Sequence, residues 1–204
     1  GDRLLTTANS QSVDVSQDGS QIVYAAIHAG VQQLFVRKID SMEAQPIRGT
    51  DEARAPFFSP DGQSVGFIVA PQLRKMAVSG GTPQNLANVI NDNGGASWGP
   101  NDTIVFAVGT GQGMRTIQAS GGTPSPLTTL KGENSHRWPQ LLPGGKALLF
   151  TNYISSGDTS KILVERTDTH ERKLLVQGGS FPRYVSTGHL LFVRGATLMA
   201  VPLD

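Results

Sequence analysis

The chain has 204 residues, with 17 Lys and Arg against 16 Asp and Glu, so its formal net charge is +1. A charge this close to zero gives no basic surface for a nucleic acid or an anionic membrane. Cysteine is absent, which excludes disulfides, thiolate metal sites and cysteine nucleophiles. The 24 Gly and 12 Pro residues, with only 16% charged residues, favour many short strands joined by tight turns over helices.

A turn motif recurs along the whole chain. SQDG ends at Gly19, SPDG at Gly62, GPND at Asp102, LPGG at Gly145 and VSTG at Gly188, so the steps are 43, 40, 43 and 43 residues. Each turn is followed by a short apolar run with an aromatic residue, such as VGFIV or IVFAV, and such runs are typical of strands. We call the final residue of each turn its anchor.

Each unit contains four strand-sized segments. In the second unit ARAPFF, VGFIVA and LRKMAVS are followed by the turn SGGTP and by QNLANV, and SGGTP recurs at 120–124. Four strands in about 42 residues are typical of a β-propeller blade. The sequence therefore predicts an all-β, five-bladed β-propeller of four-stranded antiparallel blades. The predicted blades form a single domain over 1–204, with approximate bounds 8–49, 50–89, 90–130, 131–177, and 178–204 together with 2–7.

The fifth unit stops at Asp204 without a fourth strand. The segment DRLLTT at 2–7 resembles RKLLVQ at 172–177, which is the fourth strand of the preceding unit. We therefore expect residues 2–7 to form the outer strand of the last blade and to close the ring, because an open ring would leave unpaired strand edges. The alternative interpretation is that the chain is a fragment of a longer propeller.

The apolar pattern also predicts the core. Phe67, Phe106 and Phe150 occupy equivalent positions in the central strands and are expected to be buried. Residues four and six positions before each anchor are mostly apolar and are expected to pack between blades. They are Val15, Phe58, Trp98, Leu141, Tyr184, Val13, Pro56, Ala96, Pro139 and Pro182.

The repeated pattern of S-P-D-G, an aromatic strand and S-G-G-x-P resembles the WD-repeat-like blades of TolB-type propellers. The strings GASWGPNDTIVFA, SHRWPQLLPGG and LLFVRGATLMAVPLD are similar to propeller domains attached to bacterial serine/threonine protein kinases. The kinase motifs themselves are absent from the chain. The resemblance implies a location in the bacterial periplasm or cell envelope, although GDRLLTTANS has no signal-peptide pattern and no apolar stretch is long enough for a membrane helix.

A candidate binding site follows from the start of the innermost strands. Eight to ten residues before each anchor the chain becomes polar or small, and the first strand of every blade lines the propeller axis. These positions are therefore expected to converge on one mouth of the central channel. The predicted ligand-binding residues are Glu52, Arg54, Asp92, Ser135, His136 and Arg137. Arg137 could hold a carboxylate through two hydrogen bonds, and Trp138 is either a stacking surface or a residue that packs between blades.

Three classes of function remain open. The first, which we favour because no catalytic motif is present, is a non-enzymatic module that binds a peptide, a protein or a small carboxylate-bearing ligand. The second is the accessory propeller of a prolyl-oligopeptidase-like hydrolase, and the third is a lyase or hydrolase acting at the channel mouth through groups such as His136 and Glu52. The sequence predicts no cofactor and no metal site, since its four histidines show no ligand spacing.

Overall fold

The structure, a computed structural model, describes residues 3–5, 10–89, 94–154 and 159–203. These residues form twenty β-strands in five antiparallel sheets that follow one another along the chain. The fold is an all-β propeller of five blades, numbered here one to five in chain order. The predicted fold class is therefore confirmed.

The strands of the five blades have the following bounds. Blade one contains β1 (Arg3–Leu4), β2 (Val13–Val15), β3 (Gln21–His28), β4 (Val31–Lys38) and β5 (Ala44–Pro46). Blade two contains β6 (Arg54–Phe58), β7 (Ser64–Val69), β8 (Gln72–Ala77) and β9 (Gln84–Asn88). Blade three contains β10 (Ala96–Trp98), β11 (Thr103–Ala107), β12 (Met114–Gln118) and β13 (Ser125–Pro126). Blade four contains β14 (Ser135–Leu141), β15 (Ala147–Tyr153), β16 (Lys161–Arg166) and β17 (Arg172–Gln177), and blade five contains β18 (Ser180–Val185), β19 (His189–Arg194) and β20 (Thr197–Pro202).

The Ser-x-Asp-Gly turns connect the first and second strands of blades one and two. The Ser59 hydroxyl donates to Asp61 Oδ1 at 2.5 Å and accepts the amide of Ser64 at 2.8 Å, while Gly62 adopts φ +68°. A residue with a Cβ would be strained at that φ. In the equivalent turn of blade one, hydrogen bonds to Asp18 lower its pKa to about 2. The bond from Ser16 has the largest effect, and those from Ser20 come next. Both aspartates therefore stabilise their turns.

The core lies between consecutive blades. Four clusters of buried apolar residues join blade one to two, two to three, three to four and four to five. Phe67, Phe106 and Phe150 are all at most 1% exposed, so their predicted burial is confirmed. The inner-strand apolar residues follow the prediction less closely, because Val13 and Val15 are 50% and 51% exposed.

The predicted closure of the ring by the N-terminal segment is wrong. Arg3 and Leu4 pair with Ile27 and Ala26 of β3, so β1 belongs to blade one. The physical reason is a free edge: β3 has eight residues, and β2 covers only Ile22 to Tyr24. β1 continues along the same edge, and the Leu5 amide donates to the Ala25 carbonyl at 2.9 Å. Blade five has three strands in the described part of the chain.

Candidate functional site at the channel mouth

A β-bulge near the start of the inner strand recurs in blades two, four and five. The ladder shifts by one residue between Arg54 and Phe57 in β6, and between Arg137 and Gln140 in β14. The first bulged residues are Ala55, Trp138 and Phe181, with φ of +51°, +51° and +53°. A positive φ is unusual for residues other than glycine and costs energy, so it persists only where the surroundings enforce it. Arg54 and Arg137 each directly precede such a residue and therefore occupy equivalent positions.

Arg137 is held in place by its neighbours. Its guanidinium carbon lies 4.1 Å from the centre of the Tyr153 ring, and its Nε donates to Ser135 Oγ at 3.2 Å. The side chain is half-buried, and this burial lowers the pKa of Arg137 from its ordinary value. Within the described part of the chain its two terminal nitrogens have no hydrogen-bond partner. The arrangement leaves a fixed, partly desolvated guanidinium fork available for an anion.

His136 points away from Arg137, as successive residues of a strand do. It is 1% exposed, its Nδ1 lies 2.8 Å from Thr128 Oγ1, and its Nε2 lies 3.1 Å from Glu133 Oε2. Its ring packs 4.5 Å from that of Phe150. Burial lowers the pKa of His136, which favours the neutral imidazole. The structure thus brings Ser135 and Arg137 together and puts His136 in the core between blades three and four.

The other predicted site residues are distributed as follows. Glu52 is exposed, has φ +60°, and donates its amide to the Gln32 carbonyl of blade one at 2.9 Å. Arg54 is half-buried at the start of β6. Asp92 lies outside the described residues, so its predicted place in the site is untested.

Trp138 is a packing residue. It is fully buried, stacks on Phe181 with ring centres 3.7 Å apart, and meets Tyr153 edge to face at 5.6 Å. A Cβ at Gly95 would lie 2.8 Å from Gln11 Oε1 and 3.1 Å from Trp138 Cδ1, so only glycine leaves room for both. The alternative of an accessible stacking surface at Trp138 is therefore excluded in this structure.

Sequence reasoning missed an electrostatic contact among the inner strands. Asp14 accepts the amide of Phe58 at 2.9 Å, and its charge interacts with that of Arg183 in blade five. Burial is the largest influence on both groups, and it raises the pKa of Asp14 and lowers that of Arg183. At the equivalent position of blade four, Gln140 accepts the amide of Tyr184 at 2.6 Å. These residues lie five positions before their anchors, and an alignment at that position would have revealed a polar series.

A second missed cluster lies beside His136. Arg172 donates to both carboxylate oxygens of Glu133 at 2.7 and 2.8 Å, and it also pairs with Glu165. Burial opposes ionisation of Glu133, but hydrogen bonds from Lys131, Arg172 and His136 outweigh it and lower its pKa. These interactions tie the outer strand of blade four to the loop before β14. The cluster is structural in character, because Arg172 is already paired with two carboxylates.

Neither a metal site nor a membrane span is found in the part of the chain that the structure describes. There is no group of three or more His, Asp or Glu residues placed to hold a metal ion. No helix in residues 3–5, 10–89, 94–154 or 159–203 is long and apolar enough to cross a bilayer.

Comparison with known proteins supports the fold. The chain is similar to TolB from Acinetobacter baumannii, with a TM-score of 0.68 and 17% identity, covering 93% of this chain and 51% of TolB. A chain of the nidogen/laminin complex matches with a TM-score of 0.73 and 10% identity, covering 99% of this chain and 85% of that one. A prolyl endopeptidase matches with a TM-score of 0.54 and 13% identity, covering 93% of this chain and 33% of that one.

The similarity lies in the structure rather than in the amino-acid sequence. No family model and no curated protein sequence matches the chain. At these identities the solved structures show a TolB-like propeller fold and nothing finer, and the chain spans about half the length of TolB. Propellers of this kind occur both in TolB and in enzymes such as a prolyl endopeptidase.

Proposed function

We propose that the chain is a non-enzymatic binding domain that holds a carboxylate-bearing ligand, such as a peptide terminus, at the mouth of its central channel. The observation that carries the proposal is Arg137, whose guanidinium is fixed by Tyr153 and Ser135 while its terminal nitrogens have no partner in the described residues. A planar guanidinium matches a carboxylate through two parallel hydrogen bonds. Partial burial strengthens such an interaction, since fewer water molecules compete for it.

Arg54 supports the same ligand. It precedes a bulge in β6 as Arg137 does in β14, so the two side chains start from equivalent heights on blades two and four. Glu52 and Asp92 would then select against ligands with a second negative charge.

The third class of function loses support from the same geometry. A lyase or hydrolase acting through His136 would need that imidazole at the mouth, whereas it is buried against Thr128, Glu133 and Phe150. An accessory role beside a hydrolase domain remains the alternative function. It is supported by the structural similarity to a prolyl endopeptidase. From the TolB resemblance we further propose a periplasmic or cell-envelope location within a larger bacterial protein.

The test compares two peptides and four forms of the protein. Acetyl-trialanine with a free carboxylate and the same peptide as its amide are titrated into isotope-labelled protein and followed by NMR. We expect only the free acid to shift resonances near Arg137. Arg137→Ala should weaken binding by about 2–5 kcal/mol if the contact is buried. Arg137→Lys should recover only part of the loss, because a lysine cannot present a fork.

Arg115→Ala is the matched control, because Arg115 is an exposed arginine on β12 of blade three. Its removal changes the net charge equally and should leave the affinity unchanged. Equal binding of the acid and the amide, or an affinity that ignores Arg137→Ala, would refute the proposal.

A further inference from the structure

A cavity of about 530 Å³ lies in blade four, outward from its innermost strand. It is bounded by the loop before β14, the end of β15 and the outer strands β16 and β17. Leu163 in its wall packs with Val105 and Met114 of blade three, so the cavity lies on the side of blade four that faces blade three. Its volume is in the range of small-ligand sites, and none of the predicted channel-mouth residues that the structure describes lines it.

The rim of the cavity is tied to the blade by hydrogen bonds. Arg172 donates to both carboxylate oxygens of Glu133, and the same carboxylate accepts the amide of Lys131 at 2.8 Å. Asn134 Nδ2 donates to the Ile154 carbonyl at 3.5 Å. The loop before β14 is thus fixed both to β17 and to the end of β15. Because these contacts order the rim before a ligand arrives, little conformational entropy is lost on binding.

Asn152 places an unpartnered amide in the floor of the cavity. It is 5% exposed and lies opposite Lys161 across the pair of β15 and β16. Its Oδ1 is buried and accepts no hydrogen bond from the described residues. A buried amide without a partner is costly, and a half-turn about its terminal torsion presents either the oxygen or the NH2 group to the cavity. A ligand that offers both a donor and an acceptor, as a peptide group does, would therefore satisfy it.

The charges around the cavity favour an anion. Lys131 is exposed and Lys161 is half-buried, and neither ammonium group pairs with a carboxylate in the described part of the chain. Glu133 also lines the cavity, but it is neutralised by Arg172 at 2.7 Å. Two unpaired positive charges thus remain for a ligand. Because Arg172 also pairs with Glu165, its guanidinium is not available as the fork that best suits a phosphate.

Aliphatic side chains form the rest of the wall. Leu163 is 6% exposed, whereas Ile154 and Leu174 are 41% and 49% exposed. Covering the two exposed side chains would remove apolar surface from water and so favour binding. The occupant that fits this wall therefore combines aliphatic groups with a negative charge.

We infer that this cavity binds an acidic peptide segment in which a carboxylate side chain is flanked by aliphatic residues. The carboxylate faces the two lysines, a peptide group pairs with the amide of Asn152, and the aliphatic side chains cover the apolar wall. No free peptide terminus is required. The site is separate from that of the proposed function, because Asn152 and Tyr153, which holds Arg137, are consecutive in β15 and face opposite sides of the blade.

The probe is acetyl-Leu-Glu-Leu-amide, and acetyl-Leu-Gln-Leu-amide is the matched peptide without the charge. Both have blocked ends, so neither offers the free carboxylate that the channel mouth would bind. Each is titrated into isotope-labelled protein and followed by NMR through the side-chain amide of Asn152 and the methyl groups of Ile154 and Leu174. We expect the acidic peptide to shift these signals saturably, while the Nε signal of Arg137 stays unchanged. The uncharged peptide should bind about fivefold more weakly, because it forms no ion pair.

Two substitutions in the cavity are compared with one control. Lys161→Gln should weaken binding of the acidic peptide about fivefold and leave the uncharged peptide unaffected, because it removes one ammonium group. Asn152→Leu should weaken both peptides by about the same factor, since it removes the amide and keeps the volume. Lys146→Gln is the control, because Lys146 is exposed before the other end of β15 and its loss changes the net charge equally. It should bind both peptides like the unchanged protein, and circular dichroism checks the folding of each variant.

Four results would overturn the inference. The first is the absence of shifts at Asn152, Ile154 and Leu174 at millimolar peptide, and the second is equal binding of the acidic and the uncharged peptide. The third is an equal loss of affinity in Lys146→Gln and Lys161→Gln, which would show an effect of net charge alone. The fourth is tighter binding of octanoate than of the acidic peptide, because the cavity would then take an aliphatic carboxylate without a peptide group.

Discussion

Truncation of Phe67 tests the blade register most directly. Phe67 is fully buried and packs with Val23, Ala25 and Leu34 of blade one. A phenylalanine buries on the order of 150–250 Å² of surface, and at about 25 cal/mol per Å² the transfer alone is worth roughly 4–6 kcal/mol. Because part of that surface is already covered in the unfolded chain, we expect Phe67→Ala to cost about 3–5 kcal/mol.

Tyr24 provides the internal comparison. It occupies the equivalent position of blade one and stacks on Phe35 at 5.7 Å, but it is only half-buried, because no other blade packs on that face in the part of the chain that the structure describes. Tyr24→Ala should therefore cost about half as much as Phe67→Ala. If the two substitutions cost the same, the uncovered face of blade one does not exist in solution.

The assay is urea unfolding followed by circular dichroism, with the free energy of unfolding obtained by linear extrapolation. The slope against urea is compared between variants, because blades in a repeat architecture can unfold separately and change it. Near-neutral results for two of Phe67, Phe106 and Phe150 would show that the register assigned to the central strands is wrong by one residue.

Two further predictions concern the N-terminus and pH. Deleting residues 1–4 should leave the oligomeric state unchanged by light scattering and cost no more than about 1 kcal/mol, because Arg3 and Leu4 are exposed and β1 does not cover β20; aggregation of the shortened protein would instead support closure of the ring by this segment. Burial holds the pKa of His136 below its ordinary value, so the unfolded chain takes up a proton that the folded chain does not as the pH falls below about 6.5. The free energy of unfolding should therefore decrease between pH 7.5 and 5.5, and His136→Gln should flatten that decrease; an unchanged slope would contradict the buried neutral imidazole.

The repeated part of the fold was predictable because it is encoded locally. Each blade carries its own turn chemistry, such as the Ser59 and Asp61 pair, and its own alternation of apolar residues. Because the pattern occurs five times, a departure from it in one unit does not change the predicted fold. The N-terminal segment has no such support, since a strand of two residues pairs with whichever ladder edge is free. Similarity between DRLLTT and RKLLVQ could not distinguish the edge of β3 from that of β20.

The equivalence of Arg54 and Arg137 within the repeat was predictable, but the orientation of the neighbouring side chains was not. Counting back from the anchors gave Arg54 and Arg137 equivalent places, which the shared bulges bear out. The same count grouped His136 with Arg137, although neighbours on a strand face opposite sides. Asp14 was missed because it lies between Val13 and Val15 and its partners come from other blades.

The bulges explain why alternation alone gives the wrong face for the two arginines. Unbroken pairing would put Arg54 on the same side of β6 as Phe58, which packs toward blade one. The extra residue at Ala55 shifts the ladder, so that Arg54 lies opposite Ile68 and Phe57 opposite Gly66. Arg54 therefore shares a face with Phe57, toward blade three. The same shift in β14 aligns Arg137 with Gln140. Orientation at the mouth thus depends on residues held at positive φ by packing between blades, and no pattern of polar and apolar letters within one strand encodes that packing.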